Sequence, residues 1–352
     1  MRFDEIGLKA VRFAILFNGL TYGVNSDAPR PRQVGEWIEW DFTPPQLSDE
    51  FIEDFRDLVR RFGTFNGTGT PRILLMPVIV GFDLVASSIT PANKSALPPF
   101  SDFYDNGAPN IPPTHYVASR RARALQTDSN RELFLRYVVE RLLSEFVAGG
   151  PLEAYRTSIH SWDLCGEPDL VAAQPRVAAN PVHPITFADM VAYLDRGIRL
   201  VQRYGFRATV GFQRVAGLLL WQSYLPAHLL QFHYYGEESL PCVLPGWPAL
   251  IGEVATQRSG LFDQEFRRRF HRGPTEPIEL ADRLEWLEWK GYREVFLWSA
   301  FHAHGIFEDN STRWTAHEQQ EALLFIRQRH RRLGLSNDRC AAPPSGPRPV
   351  IA

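Results

Sequence analysis

Two glutamates stand where a chain could use them as reactive groups. In His160-Ser161-Trp162-Asp163-Leu164-Cys165-Gly166-Glu167-Pro168, an apolar run fit for a buried strand stops at a carboxylate followed by proline. A central strand does not continue through proline, so Glu167 is expected at the strand's carboxyl tip, where the backbone must turn. In a parallel barrel that tip is the catalytic face. Ile251-Gly252-Glu253 supplies a second glutamate in the same kind of setting. Paired carboxylates can divide the cleavage of a glycosidic bond: one gives its proton to the leaving oxygen, the other attacks the anomeric carbon. Retention of configuration requires them roughly 5–5.5 Å apart. Glu167 and Glu253 are read as that pair.

Such groups need elements that deliver strand ends to one face, and the order of the chain provides for that. Leu8 to Phe17 is a nearly continuous apolar run holding Arg12, the pattern of a buried parallel strand. Asn18 to Pro45 reads as a loop. Ser48-Asp49-Glu50 then caps a helix with apolar positions Phe51, Phe55, Leu58, Val59 and Phe62, and Gly63 stops it. Arg72 to Asp83 is the next buried strand. Leu84 to about Asp128 reads as a long loop over the active face, a candidate substrate wall.

Asn130 to Phe146 is an amphipathic helix, and Tyr155 to Leu164 is read as the strand leading into Glu167. Asp169 to Pro184 is a further loop. A helix from Thr186 to Tyr204, a strand from Arg207 to Phe212, and a short helix or turn from Gly217 to Ala227 follow. Strands are expected at Leu229 to Tyr235, Pro248 to Val254 and Glu294 to Ala300. Helices are expected at Phe262 to His271, Ile278 to Trp289 and Trp314 to Leu333.

Strand and helix alternate to the end, which demands a parallel sheet with helices outside it. The expected class is α/β, a (β/α)8 TIM-type barrel in one catalytic domain over residues 1–335, with a disordered tail over 336–352. Counting gives seven strands. Either the first strand is absent or Met1 is a late start.

Composition narrows the alternatives. A chain of 352 residues fits one large barrel, and 44% hydrophobic and 22% charged residues are ordinary for a globular protein. A net charge of −2 argues against nucleic acid or an anionic membrane as partner. Cys165, Cys242 and Cys340 are odd in number and widely spaced, with no CxxC, which argues against a disulfide framework or a zinc site. There is no GxGxxG or phosphate loop. Met1-Arg2-Phe3-Asp4-Glu5 does not open a signal peptide, so the expected location is cytoplasmic as written, or secreted if residues precede Met1.

With these residues in order, the chain resembles a clan A glycoside hydrolase, and within it glycoside hydrolase family 5, the cellulase and mannanase family. Trp162 to Pro168 resembles the motif that ends the fourth strand with the acid/base, and Ile251-Gly252-Glu253 resembles the seventh-strand nucleophile motif. Arg12 resembles the second-strand arginine that supports the nucleophile. His233 and Tyr235 resemble the His-x-Tyr pair of the sixth strand, and Trp298 the eighth-strand tryptophan that floors a sugar subsite.

The resemblance implies a retaining β-glycosidase acting on an oligo- or polysaccharide, with no metal or organic cofactor. It also implies that Trp162 keeps Glu167 in a dry setting, that Arg12 favours the ionised nucleophile, and that Tyr235 hydrogen-bonds it. Gly166 departs from the family, which has asparagine there to read the sugar's 2-hydroxyl. That departure keeps open a barrel that binds carbohydrate without cutting it. A third reading is a metal-dependent hydrolase using His302 and His304. Bland readings stand beside the sharp ones: Arg12 in a structural salt bridge, His233 as a core histidine, Trp298 as packing.

Overall fold

The computed structural model describes residues 9–16, 31–34, 37–40, 47–63, 73–82, 88–89, 117–118, 123–178, 185–227, 229–235, 240–243, 249–255, 264–271, 273, 276, 278 and 280–298. The chain groups into two compact units, Ala10–Leu230 and Met1–Lys9 with Gln231–Ala352. The His302 and His304 pair, the expected helix at Trp314 to Leu333 and the tail lie outside the described residues.

In the first unit the strands are β1 (Ala10–Leu16), β2 (Leu74–Val80), β3 (Trp162–Gly166) and β4 (Ala208–Phe212). Sheet order follows chain order, and each neighbouring pair is parallel. Strands β3 and β4 are buried along their whole length, as expected for a sheet covered on both faces.

Helix α1 (Asp49–Phe62) begins where the sequence placed it. The Ser48 hydroxyl accepts the Phe51 N–H, Asp49 and Glu50 occupy the first turn, and Arg60 and Arg61 the last. It buries Phe51, Ile52, Phe55 and Val59. Helix α2 (Asp128–Phe134), capped by the Thr127 hydroxyl, continues through a π-helical stretch at Leu135–Glu140 to Leu143. Helix α3 (Phe187–Arg203) is capped by Thr186, and past its end Gly205 adopts the left-handed conformation (φ 74°) that favours glycine. The short α4 (Val215–Trp221) follows β4.

Three expectations are corrected. The strand leading to Glu167 begins at Trp162 rather than Tyr155, because Glu153–Ser158 form a 3-10 helix. Arg156 decides this: its guanidinium donates to the carbonyls of Phe146 and Tyr204 and lies 4.3 Å from the Phe206 ring centroid. These contacts override the strand preference of Tyr155 and Thr157. The segment from Asn18 to Pro45 is not all loop, since Pro31–Val34 pairs antiparallel with Trp37–Trp40. Short structure also interrupts the other loops: Ser88–Ile89 pairs with Val117–Ala118, and Pro168–Val171 is a turn of helix.

The second unit holds β5 (Leu230–Tyr234, from Gln231 on), β6 (Ala249–Ala255) and β7 (Val295–Trp298), again in chain order. Strands β6 and β7 are parallel. Helices α5 (Gln264–Arg269) and α6 (Leu280–Trp289) pack through rings. Trp286 meets Phe266 edge-on at 5.7 Å and stacks on Trp289 at 4.9 Å, and Lys290 pairs with Glu265 at 2.6 Å. Among the described residues no helix is long and apolar enough to cross a membrane.

Candidate active site

Glu167 sits one residue beyond β3 and adopts a left-handed backbone, φ 59° and ψ 50°. That conformation is doubly unfavourable, for a residue with a Cβ and for one preceding proline, and costs on the order of 1–3 kcal/mol. The fold holds it there. The Glu167 N–H donates to the Gly211 carbonyl at 2.5 Å, and the Glu167 carbonyl accepts the Leu170 N–H at 3.1 Å. Pro168 opens the helical turn that follows. The glutamate is 8% exposed.

Arg12 and Asp163 form the base of this arrangement. Arg12 Nε and Nη2 lie 3.2 and 3.0 Å from Asp163 Oδ2, and Asp163 Oδ1 accepts the Gly211 N–H at 3.2 Å. The Gly211 amide thus bonds a side chain, at the point where the β3–β4 register shifts between Asp163 and Gly166. Asp163 is fully buried. From β3 its carboxylate therefore links β1 to β4, and Gly211, whose N–H it accepts, takes the Glu167 N–H on its own carbonyl. A Cβ on Gly166 would come 3.3 Å from Arg12 Nη2 and 3.8 Å from Val78. Gly166 thus faces the arginine closely.

Asp169, two residues past Glu167, fastens the same turn at a second point. Its Oδ1 accepts the Gln213 N–H at 2.9 Å. Burial pushes its pKa from an ordinary 3.8 up to about 6. Backbone hydrogen bonds and Arg214 oppose the rise, and the Glu167 charge adds to it. Burial likewise raises the Cys165 thiol well above its usual range, with the charges of Asp163, Asp169 and Glu167 reinforcing it, so this cysteine stays a neutral packing group.

Trp162 is a packing residue. Its ring has no exposed surface and packs against Phe55, Phe146 and Phe206 at 6.0–6.4 Å between centroids. Side chains alternate along a strand, so Asp163 and Trp162 point to opposite faces. Trp162 supports the strand by packing and has no surface to offer a sugar.

In the second unit Glu253 lies on β6 and is 6% exposed. The Tyr235 hydroxyl donates to Glu253 Oε2 at 2.5 Å, and His233 Nδ1 lies 3.5 Å from the same oxygen. The His233 and Tyr235 rings are nearly perpendicular, 6.4 Å apart. Gly252 has its own reason: a Cβ there would overlap the Gln231 side-chain amide, so only glycine lets Gln231 lie against β6 beside Glu253. Trp298 closes β7 in register with Ala255.

The site residues thus fall into two sets, Arg12, Asp163, Glu167 and Asp169 in one unit and His233, Tyr235 and Glu253 in the other. Sequence reasoning missed Asp163 and Asp169. For Asp163 a signal existed, because an arginine inside an apolar strand demands a buried acid.

Among solved structures the chain is similar to a β-1,4-mannanase from the common sea hare Aplysia kurodai, with a TM-score of 0.54 and 12% identity over 92% of this chain and 82% of that one. The fold is a TIM-type (β/α) barrel. Two further structures are a glycoside hydrolase (TM-score 0.47, 11% identity, 93% and 90% covered) and a hyperthermophilic β-glucosidase from Pyrococcus furiosus (0.46, 10%, 93% and 82%). No family model and no curated protein matches the sequence.

Proposed function

We propose that this chain is a retaining β-glycoside hydrolase acting on an oligo- or polysaccharide, with Glu167 as acid/base and Glu253 as nucleophile. The observation that carries the reading is the separate support given to each glutamate within the fold of a β-1,4-mannanase. Glu253 is gripped by the Tyr235 hydroxyl, and Glu167 is held at a strand tip in a strained turn. Energy spent on holding two carboxyl groups in fixed orientation is the mark of reactive groups rather than surface acids.

In the proposed reaction, Glu253 attacks the anomeric carbon through a carboxylate oxygen while Glu167 protonates the departing oxygen. A glycosyl ester forms, and Glu167, now ionised, takes a proton from water as the ester is hydrolysed. Tyr235 fixes the Glu253 carboxylate for attack. Arg12 acts through Asp163 and the backbone of Gly211 on the Glu167 turn. No step calls on a metal or an organic cofactor.

A second reading is a barrel that binds carbohydrate without cutting it. Gly166 favours it, because the glycine leaves no side chain beside Glu167 to read the sugar. The test is turnover of β-1,4-mannan and a panel of aryl β-glycosides, with and without EDTA. Hydrolysis indifferent to chelator, first yielding the β-anomer and abolished in Glu253→Gln, supports the first reading. Retained binding of mannan oligosaccharides with no hydrolysis supports the second. Turnover that chelator removes overturns both.

A further inference from the structure

We propose that the first unit carries, at the amino-terminal end of its sheet, a binding site for a small organic oxyanion, a carboxylate or a phosphate ester, read by Arg156 and Arg207. The site lies at the opposite end of β3 from Glu167 and does not depend on the reading of the two glutamates.

An open pocket of about 400 Å³ is set there, a size that falls within the roughly 300–1,000 Å³ of small-molecule sites. Leu74 opens β2, His160 comes two residues before β3, and Arg207 directly precedes β4, so three parallel strands begin around the pocket. Leu74 and Phe206 give it apolar surface. Arg156, Thr157, His160 and Arg207 give it polar groups, and no aspartate or glutamate lines it.

Arg156 is fixed before any ligand arrives. Its Nη1 donates to the Phe146 carbonyl at 3.3 Å, its Nη2 donates to the Tyr204 carbonyl, and its guanidinium carbon lies 4.3 Å from the Phe206 ring centroid. The left-handed Gly205 completes the fit, since a Cβ there would come 2.6 Å from Arg156 Nη2. Arg207 donates its Nε to the His160 carbonyl at 3.1 Å, which leaves both of its Nη groups as donors.

All of these acceptors are neutral carbonyls. Among the described residues no carboxylate pairs with Arg156 or Arg207, whereas Arg12, Arg56, Arg131 and Arg141 each pair with one. An arginine keeps its charge at any ordinary pH. The pocket therefore holds two positive charges with no internal counter-ion. Support of the 3-10 helix at Glu153–Ser158 accounts for Arg156 but not for a second guanidinium without a carboxylate on the same pocket. Guanidinium donors suit the paired oxygens of a carboxylate or phosphate, and Leu74 and Phe206 offer contact to an apolar body.

The experiment titrates the 15N-labelled protein, at fixed ionic strength, with phenyl phosphate, benzoate and inorganic phosphate, and with benzyl alcohol as the neutral analogue. Binding is followed by amide shifts and by calorimetry. Phenyl phosphate or benzoate is expected to shift the amides of Thr157, Gly205 and Arg207 and to bind about tenfold or more tightly than benzyl alcohol. Benzoate against phenyl phosphate tells which oxyanion is preferred, and inorganic phosphate tells how much the apolar body adds. Arg207 is exposed, so Arg207→Gln should fold, and it is expected to weaken binding roughly tenfold. Arg207→Lys, which keeps the charge and loses the fork, should weaken it less. The proposal is overturned if the oxyanions bind no better than benzyl alcohol, if they bind Arg207→Gln as well as the wild type, or if they shift only amides away from the pocket. Should Arg207→Gln fail to fold, the contrast between phenyl phosphate and benzyl alcohol at the wild-type Thr157, Gly205 and Arg207 amides decides it.

Discussion

Tyr235 donates its hydroxyl proton to Glu253 Oε2 at 2.5 Å, across the step from the end of β5 to the middle of β6. A bond this short between a phenol and a carboxyl oxygen is charge-assisted, and hydrogen bonds to charged groups contribute about 1.5–3 kcal/mol. Tyr235→Phe removes the donor and keeps the ring. In an active enzyme, kcat should fall roughly 10- to 100-fold with little change in KM, by the usual conversion of barrier to rate. Steady-state kinetics on an aryl β-glycoside check it. A rise in KM at unchanged kcat would mean that Tyr235 binds sugar instead of orienting the carboxylate.

Much of this was legible in the sequence because periodicity and punctuation are local. The proline after Glu167 and the apolar run before Glu253 are what single these two glutamates out. What escaped depends on partners far along the chain. Asp163 is anchored by Arg12, 151 residues away, and by the Gly211 amide. The packing role of Trp162 follows from alternation with the charged neighbour at 163 once Asp163 is known to pair with Arg12. Tyr155 and Thr157 have strand-forming side chains, yet Arg156 between them bonds two distant carbonyls and bends the segment into a 3-10 helix. A local reading sees the side-chain types and misses the long contact that overrides them.

The Arg12–Asp163 pair gives a second prediction. Asp163 is fully buried and Arg12 nearly so, and removing one partner of such a pair typically costs about 3–5 kcal/mol because the other charge is stranded. Asp163→Leu and Arg12→Leu should each lose stability on that scale in urea unfolding. The double substitution should lose less than the sum of the two. Strict additivity of the single losses would show that the ion pair is not the interaction at stake. Asp163→Leu should also loosen the Glu167 turn, since the Gly211 amide loses its acceptor while the Gly211 carbonyl still receives Glu167.

Gly252 gives a third. Any side chain at 252 must displace the Gln231 amide, and overpacking a tight site costs about 1–3 kcal/mol. Gly252→Ala should therefore lower the urea midpoint, and Gly252→Ala with Gln231→Ala should recover part of the loss. Failure of the second change to restore any stability would place the strain in the backbone of β6 and not in the contact with Gln231.

Asp169 makes folding itself sensitive to pH, and the sign follows from its shift. Burial raises its pKa from an ordinary 3.8 to about 6 in the folded protein. Between those values the folded chain holds a proton that the unfolded chain has released, so the Asp169 contribution is fully present below about pH 4 and is lost as pH rises through about 6. Two units correspond to about 3 kcal/mol at most, and partial exposure of the side chain reduces this to about 1–2 kcal/mol. Asp169→Asn cannot ionise and so avoids the loss. Its stability relative to the wild type should therefore grow from pH 4 to pH 7, whatever constant offset the amide introduces. Urea midpoints at pH 4, 5, 6 and 7 measure this directly. Two curves that stay parallel across the window would mean that Asp169 ionises in the folded protein as readily as in the unfolded chain, and that the carboxylate beside Glu167 is better solvated than its contacts with Gln213 and Gly217 imply.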